Sequence, residues 1–267
     1  MKISVLTPTY NRGEDLNRLY TSLIVNNNSN VEIEWLIMDD GSNDRTRTIV
    51  TNFIKQNIIK IKYFSQENQG KMAAINNLIK YATGDLIVDC DSDDYFAVGA
   101  FDTIEKYAYL LKENKDEVYA LVFLKNDSNG KTSGNKFPVD EYRSDMFSLY
   151  FREGIEGEKI LVFDANIRKK YMLSVTEEIE KNCEESAYLI QFGKARIAQK
   201  SITESRMYHK MDLEYDVICI NEPIIIGEYK EDGYTKNINK IFKENPLGYY
   251  EYFKEVLEMD LGRSSHK

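Results

Sequence analysis

An acidic cluster is the first feature of this sequence that could do chemistry. Asp89, Asp91, Asp93 and Asp94 fall within six residues, directly behind an apolar run that starts at Leu86. Carboxylates about 4 Å apart repel by about 1 kcal/mol in water and by several times more in a protein cleft, so the cluster favours a bound cation. Carboxylates without histidine partners suit Mg²⁺ or Mn²⁺, which complete their coordination with water and substrate phosphates. The sequence therefore predicts a divalent metal site and a phosphorylated ligand, the alternative being aspartates that cap a helix or face solvent.

The four aspartates are not equivalent in this prediction. Asp91 and Asp93 form a DxD pair and are the predicted ligands of the metal. Asp94 is adjacent and is an additional candidate ligand of the metal. Asp89 lies nearer the predicted strand and is expected to support the loop.

Three other polar segments follow apolar runs in the first half of the chain. Asp39 and Asp40 open the segment DDGSND and could accept hydrogen bonds from a base or from ribose hydroxyls; the alternative is a turn, with Asp44 capping the next helix. Gly70 and Lys71 close the segment NQGK at the start of a predicted helix, where free N–H groups favour an anion. The remaining segment is TPTYNR. The sequence lacks GxxxxGK[ST] and GxGxxG, so a P-loop or a standard dinucleotide site is not predicted.

The composition narrows the kinds of chemistry and ligand that are expected. The chain has 267 residues, 42% of them hydrophobic, which is enough for one large α/β domain or two small ones. Its 35 basic and 44 acidic residues give a net charge of -9, which argues against bulk nucleic-acid binding. The only histidines are His209 and His266, so a histidine-based triad or metal site is not expected. Chemistry should run mainly on carboxylates.

The cysteines and the apolar runs predict a location. Cys90, Cys183 and Cys219 are widely spaced and form no CxxC pair, so they are interpreted as reduced thiols. No window approaches the roughly 18 uninterrupted apolar residues of a membrane-spanning helix. The start MKISVLTPTYNR is too short and too soon polar for a signal peptide. We expect a cytoplasmic protein, with peripheral association at the inner face of the cell membrane as a further option.

Apolar periodicity in the first 96 residues predicts strands that alternate with helices. Strands are predicted at residues 3–6, 33–38, 59–64 and 86–90, and helices at residues 16–24, 46–54 and 75–82. Asn11 and Glu14 are predicted to cap the first helix, and Gly84 to end the third. Such βαβ units indicate an α/β fold, a Rossmann-like and mainly parallel sheet flanked by helices. Ligands of these sheets bind beyond the carboxyl ends of the strands, where all four polar segments fall.

The second half of the chain is less regular. Strands are predicted at residues 119–124, 159–163, 217–220 and 224–226, with Asn221-Glu222-Pro223 breaking the last two apart. A C-terminal helical tail is predicted after Pro246. We divide the chain into a ligand-binding half at residues 1–126, a second half of the same domain at residues 127–230, and a helical segment at residues 231–267.

The polar segments together resemble a known family. TPTYNR, DDGSND, ENQGKMAAIN and GDLIVDCDSDD are similar, in order and spacing, to the nucleotide-sugar-binding half of glycosyltransferase family 2, whose members have the GT-A fold. The resemblance covers about residues 3–96. It implies an inverting transferase that uses Mn²⁺ or Mg²⁺ and moves a sugar from a nucleotide diphosphate sugar, by family habit a UDP-sugar, to a hydroxyl acceptor. The implied setting is surface-polysaccharide or glycoconjugate synthesis of the bacterial capsule type.

The resemblance also implies roles for individual residues. Thr7, Pro8 and Tyr10 would line the nucleoside pocket, Asp39 and Asp40 would hold the base and ribose, and Lys71 would lie on the donor. Asp91 and Asp93 would bind the donor sugar and the metal–diphosphate, with Asp94 close by.

A general base is also expected, because a carboxylate should take the proton of the acceptor hydroxyl. Family members carry this Asp or Glu well downstream of DxD, often in an ED motif, and this chain lacks a clear ED. Glu204, in SITESRMYHK, is the preferred candidate, and Glu185, in NCEESAYL, is the alternative. An ordinary solvated glutamate is the competing interpretation of either residue.

The acceptor side carries weaker predictions. The basic stretch at residues 166–171 could meet a lipid-linked glycan acceptor or anionic lipid, although a charged helix face is the commoner explanation. Tyr234 and Lys236 could close over the donor, or belong to a plain surface turn. Two other functions stay open at this point: a sugar-1-phosphate nucleotidyltransferase and a non-catalytic nucleotide-binding subunit.

Overall fold

The computed structural model describes residues 1–27, 30–172, 203–227, 243 and 246–264, and its centre is a nine-stranded sheet. The strands are β1 (Lys2–Thr9), β2 (Glu32–Asp39), β3 (Lys60–Ser65), β4 (Leu86–Asp89), β5 (Tyr95–Phe96), β6 (Val118–Asn126), β7 (Tyr142–Ser144), β8 (Lys159–Asp164) and β9 (Asp216–Ile226). Their order across the sheet is β3-β2-β1-β4-β8-β6-β9-β5, and β7 pairs with β9.

The first four strands in this order run parallel. β1 pairs with β2 and β4, and β2 pairs with β3, all in parallel register. Beyond β4 the sheet is mixed, because β8 runs antiparallel to β4 and β6, whereas β6 and β9 are parallel. Thr9 lies opposite Asp39, and Leu6 lies opposite Asp89, so the carboxyl ends of β1, β2 and β4 share one edge of the sheet.

Helices cover both faces of the sheet. They are α1 (Leu16–Asn26), α2 (Thr46–Gln56), α3 (Lys71–Ile79), α4 (Ala100–Tyr107), α5 (Tyr109–Glu113), α6 (Met146–Phe151), α7 (Ala165–Lys170), α8 (Ser205–Met211) and α9 (Pro246–Ser264). The predicted α/β class and the C-terminal helix are thus confirmed. None of the helices in the described ranges is long and apolar enough to cross a membrane.

Alternation along the strands builds two apolar layers. Ile33, Trp35 and Ile37 of β2 pack on one side of the sheet, in a cluster that includes the buried faces of α1, α2 and α4. Leu36 and Met38 point to the other side, in a cluster with α3, α6 and α8. Because successive side chains of a strand face opposite ways, a strand buried on both faces is apolar at nearly every position.

Two predictions about helix ends are wrong. Helix α1 begins at Leu16, and Asn11 has a left-handed backbone with φ of 52°, so Asn11 and Glu14 do not cap it. Helix α3 ends at Ile79, before Gly84. Gly84 instead passes close to β1: a Cβ there would lie 2.6 Å from the backbone nitrogen of Ser4, which explains the glycine without a helix cap.

The predicted break in the ninth strand is also wrong. β9 runs unbroken from Asp216 to Ile226, and Pro223 lies opposite Leu124 of β6. The ladder absorbs the proline through register shifts between Val122 and Leu124 and between Leu124 and Lys125. Irregular pairing of this kind tolerates a residue that has no N–H to donate.

Candidate functional site

The loops after β1, β2 and β4 meet at the shared edge of the sheet. The backbone N–H of Asn11 donates to Ser42 Oγ at 2.9 Å, and the N–H of Asn43 donates to Asn11 Oδ1 at 2.8 Å. Asp44 accepts hydrogen bonds from the N–H groups of Gly13 and Thr46 and so ties the first loop to the start of α2, the helix that it was predicted to cap. The segments TPTYNR and DDGSND, which follow β1 and β2, are therefore joined by direct contacts.

Asp39 shapes the loop that follows β2. Its Oδ1 accepts from the N–H of Ser42 at 2.7 Å, and its Oδ2 accepts from the hydroxyl of Tyr63. Burial raises the pKa of the Tyr63 hydroxyl, and the hydrogen bond to Asp39 raises it further, so Tyr63 stays a donor. Both oxygens of Asp39 thus have partners, and a contact with a base remains a prediction.

Asp40 occupies the amino end of α3. Its Oδ1 accepts from Gln66 Nε2 and from the N–H of Gln69, and its Oδ2 accepts from the N–H of Gly70, each at 2.8 Å. Gly70 takes φ of 94°, a conformation that glycine adopts without steric cost. The anion expected at this helix terminus is therefore supplied by the chain itself, and it fixes where Lys71 begins the helix.

Lys71 joins two of the predicted functional carboxylates. Its Nζ lies 2.7 Å from Asp91 Oδ1 and 2.7 Å from Glu204 Oε1. Partial burial lowers the pKa of the Lys71 ammonium, but the charges of Asp91 and Glu204 outweigh it and raise the pKa well above the ordinary value. For Asp91, burial raises the pKa, but the charge of Lys71 leaves it lowered. Lys71 and Asp91 therefore both stay ionised.

Glu204 reaches this site from the other half of the chain. It directly precedes α8, and its Oε2 accepts from the hydroxyl of Tyr208, one helical turn later, at 3.1 Å. The Glu204 side chain is 29% exposed, so a ligand could approach it. The preferred base candidate thus lies beside the DxD aspartate, separated from it by one lysine. Glu185 lies outside the described residues.

A second group of charges lies on the other side of Asp91. Lys125, near the end of β6, places its Nζ 2.6 Å from Asp94 Oδ2 and 2.8 Å from Glu158 Oε2. Oxygens of Asp91, Asp94 and Glu158 lie within 4.8 Å of one another, which makes this trio a possible cation cluster. Burial raises the pKa of the Asp94 carboxyl to about 7, although Lys125 lowers it.

The two remaining aspartates of the stretch differ sharply. Asp89 forms an ion pair with Arg168, whose Nη2 lies 3.4 Å from Asp89 Oδ2. Asp93 makes no hydrogen bond or ion pair through its carboxylate within the described residues; only its backbone oxygen accepts, from Arg18 Nη2 at 3.1 Å. The described side-chain contact of Asp89 is thus with Arg168 of α7, and its expected support of the loop remains a prediction. The Asp93 carboxylate is available to a ligand.

The residues predicted for the nucleoside pocket lie at the end of β1. Thr7 is fully buried, and its hydroxyl accepts from Trp35 Nε1 at 2.9 Å. Pro8 is buried and Tyr10 is 47% exposed. Of these three residues, Tyr10 therefore has the side chain that is open to a ligand. The contacts of all three with a nucleoside remain predictions.

Several residues at the site were missed by sequence reasoning. Lys125 ends an apolar run, so its position at a strand end was a usable signal. Glu158 lies between a glycine turn and β8, where nothing in the sequence distinguishes it. Arg168 belongs to the basic stretch that was expected to meet a lipid-linked acceptor or anionic lipid, yet its side chain is fully buried. Its basic neighbours Lys169 and Lys170 are exposed. The predicted loop with Tyr234 and Lys236 lies outside the described residues.

The other titratable candidates are structural where they are described. His209 is buried among aromatic rings, stacked on Tyr252 with centroids 5.7 Å apart. Cys90 and Cys219 are free and buried. Burial raises the pKa of both thiols, so neither is an activated nucleophile. Carboxylates and lysines are left as the reactive groups of this site.

Comparisons with known proteins match the part of the chain that contains the four polar segments. The family model described as Glycosyl transferase family 2 matches residues 4–173. Over 91% of this chain and 85% of its own length, the GalNAc(5)-diNAcBac-PP-undecaprenol beta-1,3-glucosyltransferase of Campylobacter jejuni is 25% identical. Several other curated glycosyltransferases match over a shorter part; the match covers 37% of one from Mycoplasma genitalium.

Solved structures support the GT-A fold. Residues 1–349 of Staphylococcus aureus TarS in complex with UDP-GlcNAc superpose with a TM-score of 0.59 at 20% identity, over 88% of this chain and 61% of that one. The mannosyltransferase PcManGT of Pyrobaculum calidifontis, in complex with GDP-Man and Mn²⁺, gives a TM-score of 0.52 at 18% identity, over 93% of this chain and 68% of that one.

Proposed function

Because the chain belongs to glycosyl transferase family 2, we propose that it is an inverting, metal-dependent enzyme that transfers a sugar from a UDP-sugar to a hydroxyl acceptor. The observation that carries this proposal is the convergence of Asp91, Lys71 and Glu204 at the carboxyl edge of the parallel strands. This convergence supports the proposal because Lys71 is proposed to bind the diphosphate, Asp91 to bind the metal and Glu204 to act as the base. The nucleotide is suggested by the UDP-GlcNAc complex of TarS.

The carboxylate oxygens at this edge of the sheet are suitable ligands for a hard divalent ion. The candidates Asp91, Asp93 and Asp94 offer carboxylate oxygens alone, the ligands that Mg²⁺ and Mn²⁺ prefer. When bound, such an ion would offset the negative charge that develops on the departing diphosphate. Asp91 and Asp93 are the proposed ligands of the ion, whereas the carboxylate of Asp94 forms an ion pair with Lys125.

Glu204 is the proposed general base. The acceptor oxygen bonds to the anomeric carbon as the bond from that carbon to the diphosphate oxygen breaks, and the diphosphate leaves with the electron pair. Glu204 takes the proton that the acceptor hydroxyl releases. Lys71 and Tyr208 each donate to one oxygen of Glu204, which fixes the carboxylate while leaving lone pairs for the proton.

Nucleoside contacts complete the proposed donor site. Tyr10 offers an exposed ring beside Thr7 and Pro8, and Asp39 and Asp40 lie at the next strand end. In this proposal residues 1–126 form the donor half, residues 127–230 the acceptor half, and residues 231–267 an accessory helical segment.

The acceptor is proposed to be a glycan or lipid-linked glycan of surface-polysaccharide synthesis. The Campylobacter relative is named for an undecaprenol-linked acceptor. Lys169 and Lys170 are exposed and could approach the phosphates of such an acceptor. We place the reaction in the cytoplasm, at the inner face of the cell membrane where such acceptors are held, and we propose no nucleic-acid partner.

Replacing Glu204 tests the proposed chemistry. Glu204→Gln should lower kcat by about 10²–10⁴-fold, the usual contribution of a positioned general base, while leaving the affinity for the UDP-sugar within a few-fold. Transfer is measured by release of UDP from the purified chain with acceptor, and donor affinity by calorimetry. Glu222→Gln, on the exposed side of β9, is the matched control and should keep its rate. An active Glu204→Gln enzyme would remove Glu204 from this role and favour Glu185.

A further inference from the structure

Lys125 places an ammonium group inside the acidic cluster. Its Nζ lies 2.6 Å from Asp94 and 2.8 Å from Glu158, and the oxygens of these two carboxylates and Asp91 lie within 4.8 Å of one another. The Lys125 side chain is only 11% exposed. The ammonium therefore occupies the space where a cation would otherwise bridge Asp94 and Glu158.

The pair of Lys125 and Asp94 is held in place by the end of β9. A Cβ on Gly227 would lie 1.8 Å from Asp94 Oδ1 and 2.6 Å from Lys125 Cε, so the backbone packs directly against both side chains. The N–H of Gly227 donates to the backbone oxygen of Asn126, the residue after Lys125, at 3.0 Å. The backbone of Gly227 therefore prevents the side chains of Asp94 and Lys125 from moving in its direction.

The charges around Asp91 follow a simple arrangement in the described part of the chain. Lys71 bridges Asp91 and Glu204, and Lys125 bridges Asp94 and Glu158. Asp91 and Glu204 are both partly exposed, whereas Asp94 is 7% exposed, so a ligand can reach the first pair but not Asp94. A diphosphate could draw Lys71 away from Asp91, while Lys125 stays enclosed.

We propose that Lys125 is a positioning residue, a built-in counter-cation that withholds Asp94 and Glu158 from the divalent ion and leaves the ion to Asp91, Asp93 and the diphosphate. A positive charge beside the site also repels the free ion, since two charges a few ångströms apart interact strongly in a partly buried site. The protein should consequently bind the free ion weakly and the metal–nucleotide much more tightly. This inference rests on the proposed metal–nucleotide site and adds a residue that sets its ligand number.

Substitution of Lys125 gives a result of definite sign. Lys125→Met frees two carboxylates and removes the repulsion, so the affinity for Mn²⁺ alone, without nucleotide, should rise at least about 10-fold. Binding is measured by calorimetry and by the electron paramagnetic resonance signal of free Mn²⁺. Lys125→Arg keeps the charge and should leave the Mn²⁺ affinity near the wild-type value. A Lys125→Met protein with unchanged or lower Mn²⁺ affinity would overturn the proposal, because loss of a merely structural ion pair would not strengthen metal binding.

Lys159 provides the matched control. It is buried in β8, but its ammonium donates to the backbone oxygens of Ser133 and Glu156 instead of to carboxylates. Lys159→Met therefore removes the same charge from the same sheet and should not raise the Mn²⁺ affinity. A similar rise in both variants would mean that net charge alone is responsible, against the proposal.

Glu158 gives an independent test that does not disturb the core. Its side chain is 40% exposed, so Glu158→Gln should fold normally. If Lys125 withholds Glu158 from the ion, this variant should bind UDP with Mn²⁺ within about 3-fold of wild type, whereas loss of a true ligand would cost about 10-fold or more. A loss of that size would contradict the proposal. Failure of the proposed function would look different, since UDP would then bind neither the wild type nor any variant.

Discussion

At the level of single residues, the site depends on how each carboxylate is held. Asp91 and Glu204 share a partly exposed lysine, Asp94 and Glu158 share an enclosed one, and Asp93 has no side-chain partner among the described residues. Carboxylates with exposed partners can exchange them for a ligand, and those with enclosed partners cannot. Carboxylates within one cluster are therefore proposed to serve as metal ligand, general base and support.

Asp40 allows this view to be tested at one position. Asp40→Asn cannot accept from Gln66, Gln69 and Gly70 at once, because one side-chain oxygen becomes an amide donor. Losing a hydrogen bond to a charged acceptor should lower the free energy of unfolding by about 1.5–3 kcal/mol. Urea unfolding measures this change. Asp102→Asn, on an exposed position of α4, is the control and should change it by less than about 0.5 kcal/mol; equal effects would mean that Asp40 does not hold the start of α3.

The sequence predicted which residues gather at the site better than it predicted their partners. Asp39, Asp40, Lys71 and Asp91 could be placed together because parallel strands end at one edge. Lys125 lies in β6, Arg168 lies in α7, and Glu158 directly precedes β8. These elements reach the site through antiparallel pairing and a distant helix. Contacts between positions so far apart in the chain have no periodic signal, and only the folded chain reveals them.

At the level of the elements, a buried glutamate joins β1, β2 and the start of β4. Glu34 is fully buried on β2; it accepts from Ser4 Oγ on β1 and from the N–H and hydroxyl of Thr83, just before β4. Burial alone would raise the pKa of the Glu34 carboxyl, but these hydrogen bonds and the interaction with Lys2 lower it to about 2. The strands that carry the site are thereby fastened at the end opposite to it.

Glu34 predicts a pH dependence of stability. Its pKa in the native state is about 2, below the ordinary 4.5, so the native state binds fewer protons than the unfolded state between these values. Its contribution, on the order of 2–3 kcal/mol, should therefore be complete above about pH 4.5 and be lost as the pH falls toward 2. Glu34→Gln should be less stable at pH 7 and should lose less stability on acidification. Urea unfolding from pH 7 to pH 3 measures both, with exposed Glu67→Gln as control; parallel curves for Glu34→Gln and wild type would contradict the assignment.

The elements of the first half were predictable because their apolar residues are periodic. β2 was predicted at residues 33–38 and spans Glu32–Asp39, and α2 was predicted at residues 46–54 and spans Thr46–Gln56. The second half was harder, because its signals depend on tertiary context. Pro223 looked like a strand break, yet register shifts with β6 accommodate it, and α6 and α7, with six residues each, are too short to show a helical period.

At the level of the whole molecule, an acidic protein is proposed to bind an anionic donor. The net charge of -9 would repel a free nucleotide diphosphate sugar, and the described site adds several carboxylates of its own. A divalent ion reverses the sign of the interaction, and Lys71 adds a local positive charge. Nucleotide binding is therefore expected to depend on the metal, and Lys125 is proposed to make metal binding depend on the nucleotide.

The most direct test of this central claim is the affinity of the purified chain for UDP, measured by calorimetry with Mn²⁺ and then with the ion removed by chelation. The wild type should lose about 10-fold or more in affinity without the ion, and Asp93→Asn should show that loss even with Mn²⁺ present while unfolding at the wild-type temperature, because the Asp93 carboxylate supports no other residue that the structure describes. Equal UDP affinity with and without Mn²⁺, in the wild type and in Asp93→Asn alike, would contradict the account.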